Sequence, residues 1–234
     1  MTPIQQLMLG VGASKKTYMD DVFSTYLYKG NAAARSINNG IDLASEGGLI
    51  WTKSRSTNWE NALIDTVRGE GKEIQSNSDG AESYHAQRIT GFNSNGFDIN
   101  VSSRYNELNT TYSSFSFRKA KGFFDVITYT GNSTNRTISH SLGCVPGLVL
   151  IKRTDGTSDW CVYHRSVGTA DKLALNETDA KTNTSAWNST TPTSTLLHLG
   201  TSGSVNYDGF EYVAYLFAGG ANTAATARSV DFDG

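Results

Sequence analysis

Two short stretches decide how this chain is read. Tyr28-Lys29-Gly30-Asn31 is followed by Arg35-Ser36-Ile37, and Tyr129-Thr130-Gly131-Asn132 is followed by Arg136-Thr137-Ile138. The second stretch repeats the first with every position displaced by 101. Working outward, Gly48-Leu49-Ile50-Trp51-Thr52-Lys53 matches Gly147-Leu148-Val149-Leu150-Ile151-Lys152 at a displacement of 99, and Trp59 aligns with Trp160. At the end of each unit, Tyr112, Phe115 and Phe117 match Tyr212, Tyr215 and Phe217 at a displacement of 100. Matches held across a whole unit with so little drift mark an internal duplication. A unit of about 100 residues exceeds the roughly 20–45 of a solenoid repeat and has the size of an independently folded domain.

The expected organisation is therefore a docking segment over residues 1–20, one repeat over 21–120, a second over 121–220, and a linker with the start of a further, absent domain over 221–234. The junction Lys119-Ala120-Lys121-Gly122 is short, so the repeats should be stiffly coupled.

Within a unit the periodicity is that of strands. Val22–Tyr28, Thr110–Phe117 and Phe123–Tyr129 are rich in β-branched and aromatic residues. In the second of these, Ser113, Phe115 and Phe117 share one face and Ser114 and Ser116 the other, the alternation of a half-buried strand. Gly147–Lys152 is continuously apolar and reads as a central strand covered on both faces. Turn signals separate the runs: Gly30-Asn31, Asn39-Gly40, Asp79-Gly80, Asn95-Gly96, Asp155-Gly156 and Asp208-Gly209. No helix beyond two or three turns is evident inside either unit. About seven short strands per unit predicts an all-β chain of two tandem β-sandwich-like domains, preceded by a short N-terminal helix.

Composition excludes several classes. In 234 residues, 38% hydrophobic, 18% charged and 11% aromatic, the polar balance is Ser, Thr, Asn and Gly, unlike the charged, aromatic-poor make-up of disordered chains. A net charge of −2 argues against nucleic acid or an anionic membrane as the main partner. No apolar run approaches the roughly 20 residues of a membrane span. The N-terminus lacks the basic and apolar regions of a signal peptide. Cys144 and Cys161 fit reduced thiols in a protein made in a cytosol. The Asn-x-Ser/Thr triplets at Asn109, Asn132 and Asn188 are what this composition produces by chance.

The two ends differ from the repeats. Thr2 suits an N-cap, Pro3 the first helical position and Gln5 the third residue of a capping box. Ile4, Leu7, Met8 and Val11 follow at i, i+3, i+4 and i+7, and Gly10 and Gly12 stop the helix. Two turns are marginal alone. The apolar stripe is either a docking peg for a partner or sister copies, or it packs on the first repeat or frays. After Gly220 a small-residue linker leads to Arg228–Gly234, which alternates like the opening of another strand. The expectation is a chain that continues further.

Motifs for chemistry are sparse. His85, His140, His164 and His198 show no metal-ligand spacing, and the cysteines form no Cys-x-x-Cys. Cys161 and His164 lie three apart on a strand, so they face opposite sides and cannot form a thiolate–imidazole pair. Glu60 and Asp65 stand near the matching places of the first unit, so no such site is duplicated. Glu70, Glu73, Asp79 and Glu82 occupy a turn-rich region where solvated charge is the default. A glycosidase needs two carboxylates about 5–10 Å apart across a cleft, which spacing in sequence does not reveal. Asp79, Asp98 and Asp208 lie in loops that could hold Ca²⁺, but no EF-hand-like loop is present. No phosphate-binding loop or dinucleotide fingerprint appears. The expectation is no catalytic residue, no cofactor and no metal. Trp59 and Trp160 read as equivalent core pillars, whereas Trp51 and Trp187 lack an equivalent tryptophan and are the candidates for a surface that binds sugars.

The runs Gly122–Asn132, Pro146–Arg153, Trp160–Ser166 and Tyr212–Ala218 resemble tandem repeat domains in tail-fibre and other virion proteins of tailed bacteriophages, especially marine ones. The likeness covers about residues 20–220, nearly the whole chain. In such look-alikes the stretch like Ser229–Gly234 often opens a concanavalin- or laminin-G-like lectin domain. The resemblance implies no catalytic residues. It implies a virion appendage made in the host cytoplasm, usually a homotrimer, whose N-terminus meets other virion proteins of the tail or an adaptor. A host-surface glycan or receptor would be met by a distal part beyond this chain. Three functions follow as expectations. The leading one is the particle-proximal spacer of a tail fibre that anchors the host-binding appendage. The others are a capsid decoration or head-fibre protein and a carbohydrate-binding or carbohydrate-active protein.

Overall fold

The computed structural model describes residues 17–220. The stripe Ile4, Leu7, Met8 and Val11 and the stretch after Gly220 lie outside the described residues. The short helix that precedes the first strand among them is α1 (Met19–Val22).

The first half runs β1 (Phe23–Lys29), β2 (Arg35–Asn38), β3 (Gly48–Ser54), β4 (Ala62–Asp65), β5 (Lys72–Gln75), β6 (Ser83–Tyr84), β7 (Ile89–Asn93), β8 (Gly96–Ile99), α2 (Ser103–Asn106) and β9 (Thr111–Arg118). The second runs β10 (Phe124–Thr130), β11 (Arg136–Ser139), β12 (Pro146–Arg153), β13 (Cys161–His164), β14 (Asp171–Ala174), β15 (Thr182–Asn183), β16 (Leu196–Leu199), α3 (Gly203–Asn206) and β17 (Glu211–Ala218). Each half builds a six-stranded antiparallel sheet in the same order: β1-β9-β3-β4-β5-β6, then β10-β17-β12-β13-β14-β15. A small sheet covers one face of each, β2-β8-β7 in the first half and β11-β16 in the second. The fold is all-β and sandwich-like, and the duplication seen in sequence is a duplication of topology.

The repeated Tyr-x-Gly-Asn stretch is a chain corner built twice. Tyr28 donates from its hydroxyl to the Tyr105 carbonyl at 2.9 Å, and Tyr129 does the same to Val205 at 2.8 Å. The Asn106 side chain accepts from the Asn31 amide and donates to the Ala33 carbonyl. Asn206 repeats both bonds with Asn132 and Thr134. Tyr112 and Tyr212 each close the turn after the short helix, taking an amide proton from Glu107 or Tyr207 and donating to Ser103 or Gly203. Gly30 and Gly131 are required here because a Cβ would fall on the carbonyl oxygen of Glu107 or Tyr207. These polar groups are satisfied locally, which lets the corners be buried.

Three cores follow. One lies between the sheets of the first half, around Tyr28, Ile50, Ile64, Phe97, Tyr105 and Tyr112. A second lies between those of the other half, around Tyr129, Ile151, Tyr163, Trp187 and Tyr212. The third joins the halves: Leu49, Leu63 and Ile74 meet Phe124, Leu150, Trp160, Val162 and Tyr215. The two large sheets thus pack face to face, and the two sandwiches stack into four layers. The small sheet covers one face of β9 fully and the other face is only partly covered, so its alternation is not simply apolar-in and polar-out. Ser114 and Ser116 are the buried members, bonded to the Tyr26 carbonyl and the Asn39 amide, while Phe115 and Phe117 are half-buried on the other face. Central β12 is covered on both faces, as its continuous apolar run predicts.

Two sequence expectations are corrected. Trp59 and Trp160 are not equivalent: the Asn61 amide bonds the Asn77 side chain as the Trp160 amide bonds that of Asn176, so Trp160 corresponds to Asn61. Trp160 is fully buried in the core between the halves, whereas Trp59 is half-buried under the Arg104 guanidinium, 5.5 Å from its ring centre. Trp187 is no surface aromatic; it is 1% exposed, edge-on to Tyr163, with its indole N–H donated to the Asp171 carbonyl. Among the described residues the small sheet of this half has β16 in the place of β8 but no strand matching β7.

Candidate functional site

The most elaborate polar constellation lies on the seam between the halves. Asp65 ends β4, and Arg68 follows one turn later, so the two side chains meet: Arg68 Nε lies 2.6 Å from Asp65 Oδ2. The other Asp65 oxygen accepts the amides of Val67 and Arg68. Tyr215 of β17, from the other half, donates its hydroxyl to Asp65 Oδ2 at 2.8 Å and accepts from Arg68 Nη2 at 3.1 Å. Arg68 also donates to the Leu63 carbonyl and to Glu82. Asp65 and Tyr215 have no exposed surface, and Arg68 is 9% exposed. Burial holds the Tyr215 hydroxyl well above its ordinary range, so it stays a protonated donor.

Around this lock the halves are stitched further. Glu82 donates its amide to the Thr154 carbonyl and Ser158 to that of Asp79, while the Trp160 indole donates to Gln75. Lys152 is fully buried nearby, with Nζ on the Arg153 carbonyl. Burial lowers its pKa to about 8, against the pull of Asp79. A cleft of about 310 Å³ opens at the rim, lined by Arg68, Lys72, Glu82, Asp155, Glu211 and Tyr212 among others.

A second buried cluster belongs to the first half alone. Glu73, expected to be solvated, is fully buried; it accepts hydrogen bonds from Arg88 and the Tyr105 hydroxyl, and Arg104 lies 3.4 Å from its other oxygen. Arg104 also pairs with Glu60 at 2.9 Å. In the second half the matching pair is Lys172 and Ser204, in contact at 3.2 Å.

These arrangements hold parts in place. Asp65 accepts four hydrogen bonds, about the capacity of a carboxylate, so its oxygens are taken up by structural partners. Cys161 is buried in the second-half core, its thiol pushed up to about 12 by burial, and His164 lies on the opposite face. Cys144 is likewise raised by burial. Asp98 accepts from Ser36 and Asn93, closing its hairpin. Among the described residues no group of three or more His, Cys, Asp or Glu side chains is placed to hold a metal. Of the sequence-predicted aromatics, Trp51 is half-buried at the margin of the core between the halves. Sequence reasoning missed the lock because Asp65 and Tyr215 stand 150 positions apart; only the Asp65-x-x-Arg68 spacing hinted at a local pair.

Among the described residues no helix is long and apolar enough to cross a membrane. Neither the curated proteins nor the solved structures contain a match to the chain. A family model described as a domain of unknown function (DUF7483) matches residues 19–222, spanning both copies and the seam as one unit, and the chain belongs to that family.

Proposed function

We propose that the chain is a structural virion protein, the particle-proximal spacer of a bacteriophage tail fibre. The observation that carries this reading is the weld between the copies: a shared apolar core plus the buried Asp65–Arg68–Tyr215 lock makes one stiff body of two repeats. A spacer that transmits load from particle to host needs that stiffness. The resemblance of both repeats to tail-fibre domains supports the same setting. In this reading the N-terminal segment meets other tail or adaptor proteins, the fibre is a homotrimer, and host contact falls to a distal part. The test is gold-labelled antibody against the purified chain, applied to particles of the phage that encodes it. Label at the tail supports the proposal. Label over the head would transfer the chain to capsid decoration, and unlabelled particles would remove it from the virion.

A further inference from the structure

The two large sheets are not stacked in register. β10 lies over β9 and β3, Tyr215 of β17 reaches Asp65 at the end of β4, and Trp160, entering β13, reaches Gln75 at the end of β5. The second sheet is therefore displaced by one to two strands toward β6, roughly 5–10 Å at normal strand spacing. Displacement leaves one copy of the interface unfilled. In the second half, Val126, Tyr215 and Leu150 form a cross-strand row at most 3% exposed. The corresponding row in the first half is Thr25, Phe115 and Trp51. There Thr25 is exposed, Phe115 and Trp51 are half-buried, and Leu27 beside them is 58% exposed.

The surface that fills the second-half row is the β4–β5 strip, through Leu63 and Ile74. Its counterpart in the second half is the β13–β14 strip, with Val162 and Leu173 in the same register. That strip ends in an overhang: Leu173 is half-buried and Leu175 is 37% exposed. Each half thus carries one row and one strip. Within the chain one row meets one strip; of the second pair, the first-half row is only half-covered, and the strip, with Val162 buried in the core between the halves, overhangs at Leu173 and Leu175.

We propose that a second copy of this chain supplies the missing half of this contact, seating its Leu173–Leu175 overhang on the open Thr25–Leu27–Phe115–Trp51 row. The intramolecular interface is the template, and the charges agree. Lys29, Lys53 and Arg55 border the open row, while Glu177 and Asp179 follow Leu175. Row and strip lie in opposite halves of the chain, so the contact is taken as head-to-tail, the kind of contact that a threefold ring repeats from copy to copy. The inference stands on interface geometry and extends the spacer reading to self-assembly.

Sedimentation velocity of the full chain over a range of concentrations tests it. The parent protein is expected to form larger species as concentration rises. Leu27→Lys and Leu175→Glu change exposed side chains that are not needed for folding, a point checked by their melting curves. Each should weaken association by about tenfold or more, the effect of truncating or charging an apolar contact centre. Mixing the two variants should give dimers that do not grow further, because one intact row still meets one intact strip. A parent chain that stays monomeric overturns the proposal. So does association that survives either substitution. Neither result touches the particle-labelling test of the spacer reading, which reports location and not self-contact.

Discussion

The Tyr215 hydroxyl donates to Asp65 Oδ2 at 2.8 Å across the seam between two copies of one ancestral unit. In the first copy the position of Tyr215 is held by Phe115, which has no hydroxyl to offer. The duplicated units have therefore diverged at the contact that joins them. At this place one copy carries a phenyl ring alone, and the other a ring with a single polar latch.

Tyr215→Phe tests the latch with the residue the sister copy already uses. The ring packing is kept, while Asp65 and Arg68 each lose a partner in a buried place. A loss of about 1–3 kcal/mol is expected in urea unfolding, with an unchanged slope. Arg68→Met should cost more, about 3–5 kcal/mol, because it strands the Asp65 carboxylate. Both variants should unfold in one transition, since the halves share a core.

Gly30→Ala and Gly131→Ala should be among the most damaging single-methyl changes in the chain. Each added Cβ meets backbone, the carbonyl of Glu107 or Tyr207, which no rotamer change can clear. A loss of about 1–3 kcal/mol or more is expected at both sites. Thermal melts of the two variants should fall together, because the corners are built alike.

Lys152 sets a pH dependence. Burial lowers its pKa from 10.5 to about 8, so between those values the folded chain binds fewer protons there than the unfolded chain. Stability contributed by this group therefore rises with pH through that window, and below it the buried charge is a full penalty. Lys152→Met should be more stable than the parent at pH 7, and the gap should close as pH rises from about 8 to 10.5. Urea unfolding of the pair over a pH series measures this difference, in which contributions from other titrating groups cancel.

Trp187→Ala should cost about 3–5 kcal/mol, as expected for emptying a core site of this size. Trp51→Ala, at the margin of the core between the halves, should cost clearly less. Chemical denaturation of both separates a pillar from an edge residue.

The repeat itself was enough to establish an all-β fold made of two copies, because Tyr28, Gly30, Asn31, Tyr112 and their partners near 101 positions on serve local corners. Bonds of that kind impose residue identity and spacing, so they survive in sequence as visible matches. The strand alternation in Thr111–Arg118 was legible for the same reason, although which face would be covered was not. Tryptophan matching failed at Trp59 and Trp160, since a two-residue slip in a loop is invisible without the register of β4 and β13.

Glu73 looked solvated in sequence because its partners Arg88, Arg104 and Tyr105 lie on other elements. Trp187 looked exposed because nothing near it in the chain reveals that it packs in the core of the second half against Tyr163, whose strand lies in the large sheet. What the amino-acid order determined by itself was the unit, its duplication and its local corners, all of which are short-range or periodic. What tertiary structure alone decided was the face-to-face stacking, its offset by one to two strands and the Asp65–Tyr215 latch. Those depend on how two apolar faces bury each other, and many sequences of the same pattern would permit a different offset.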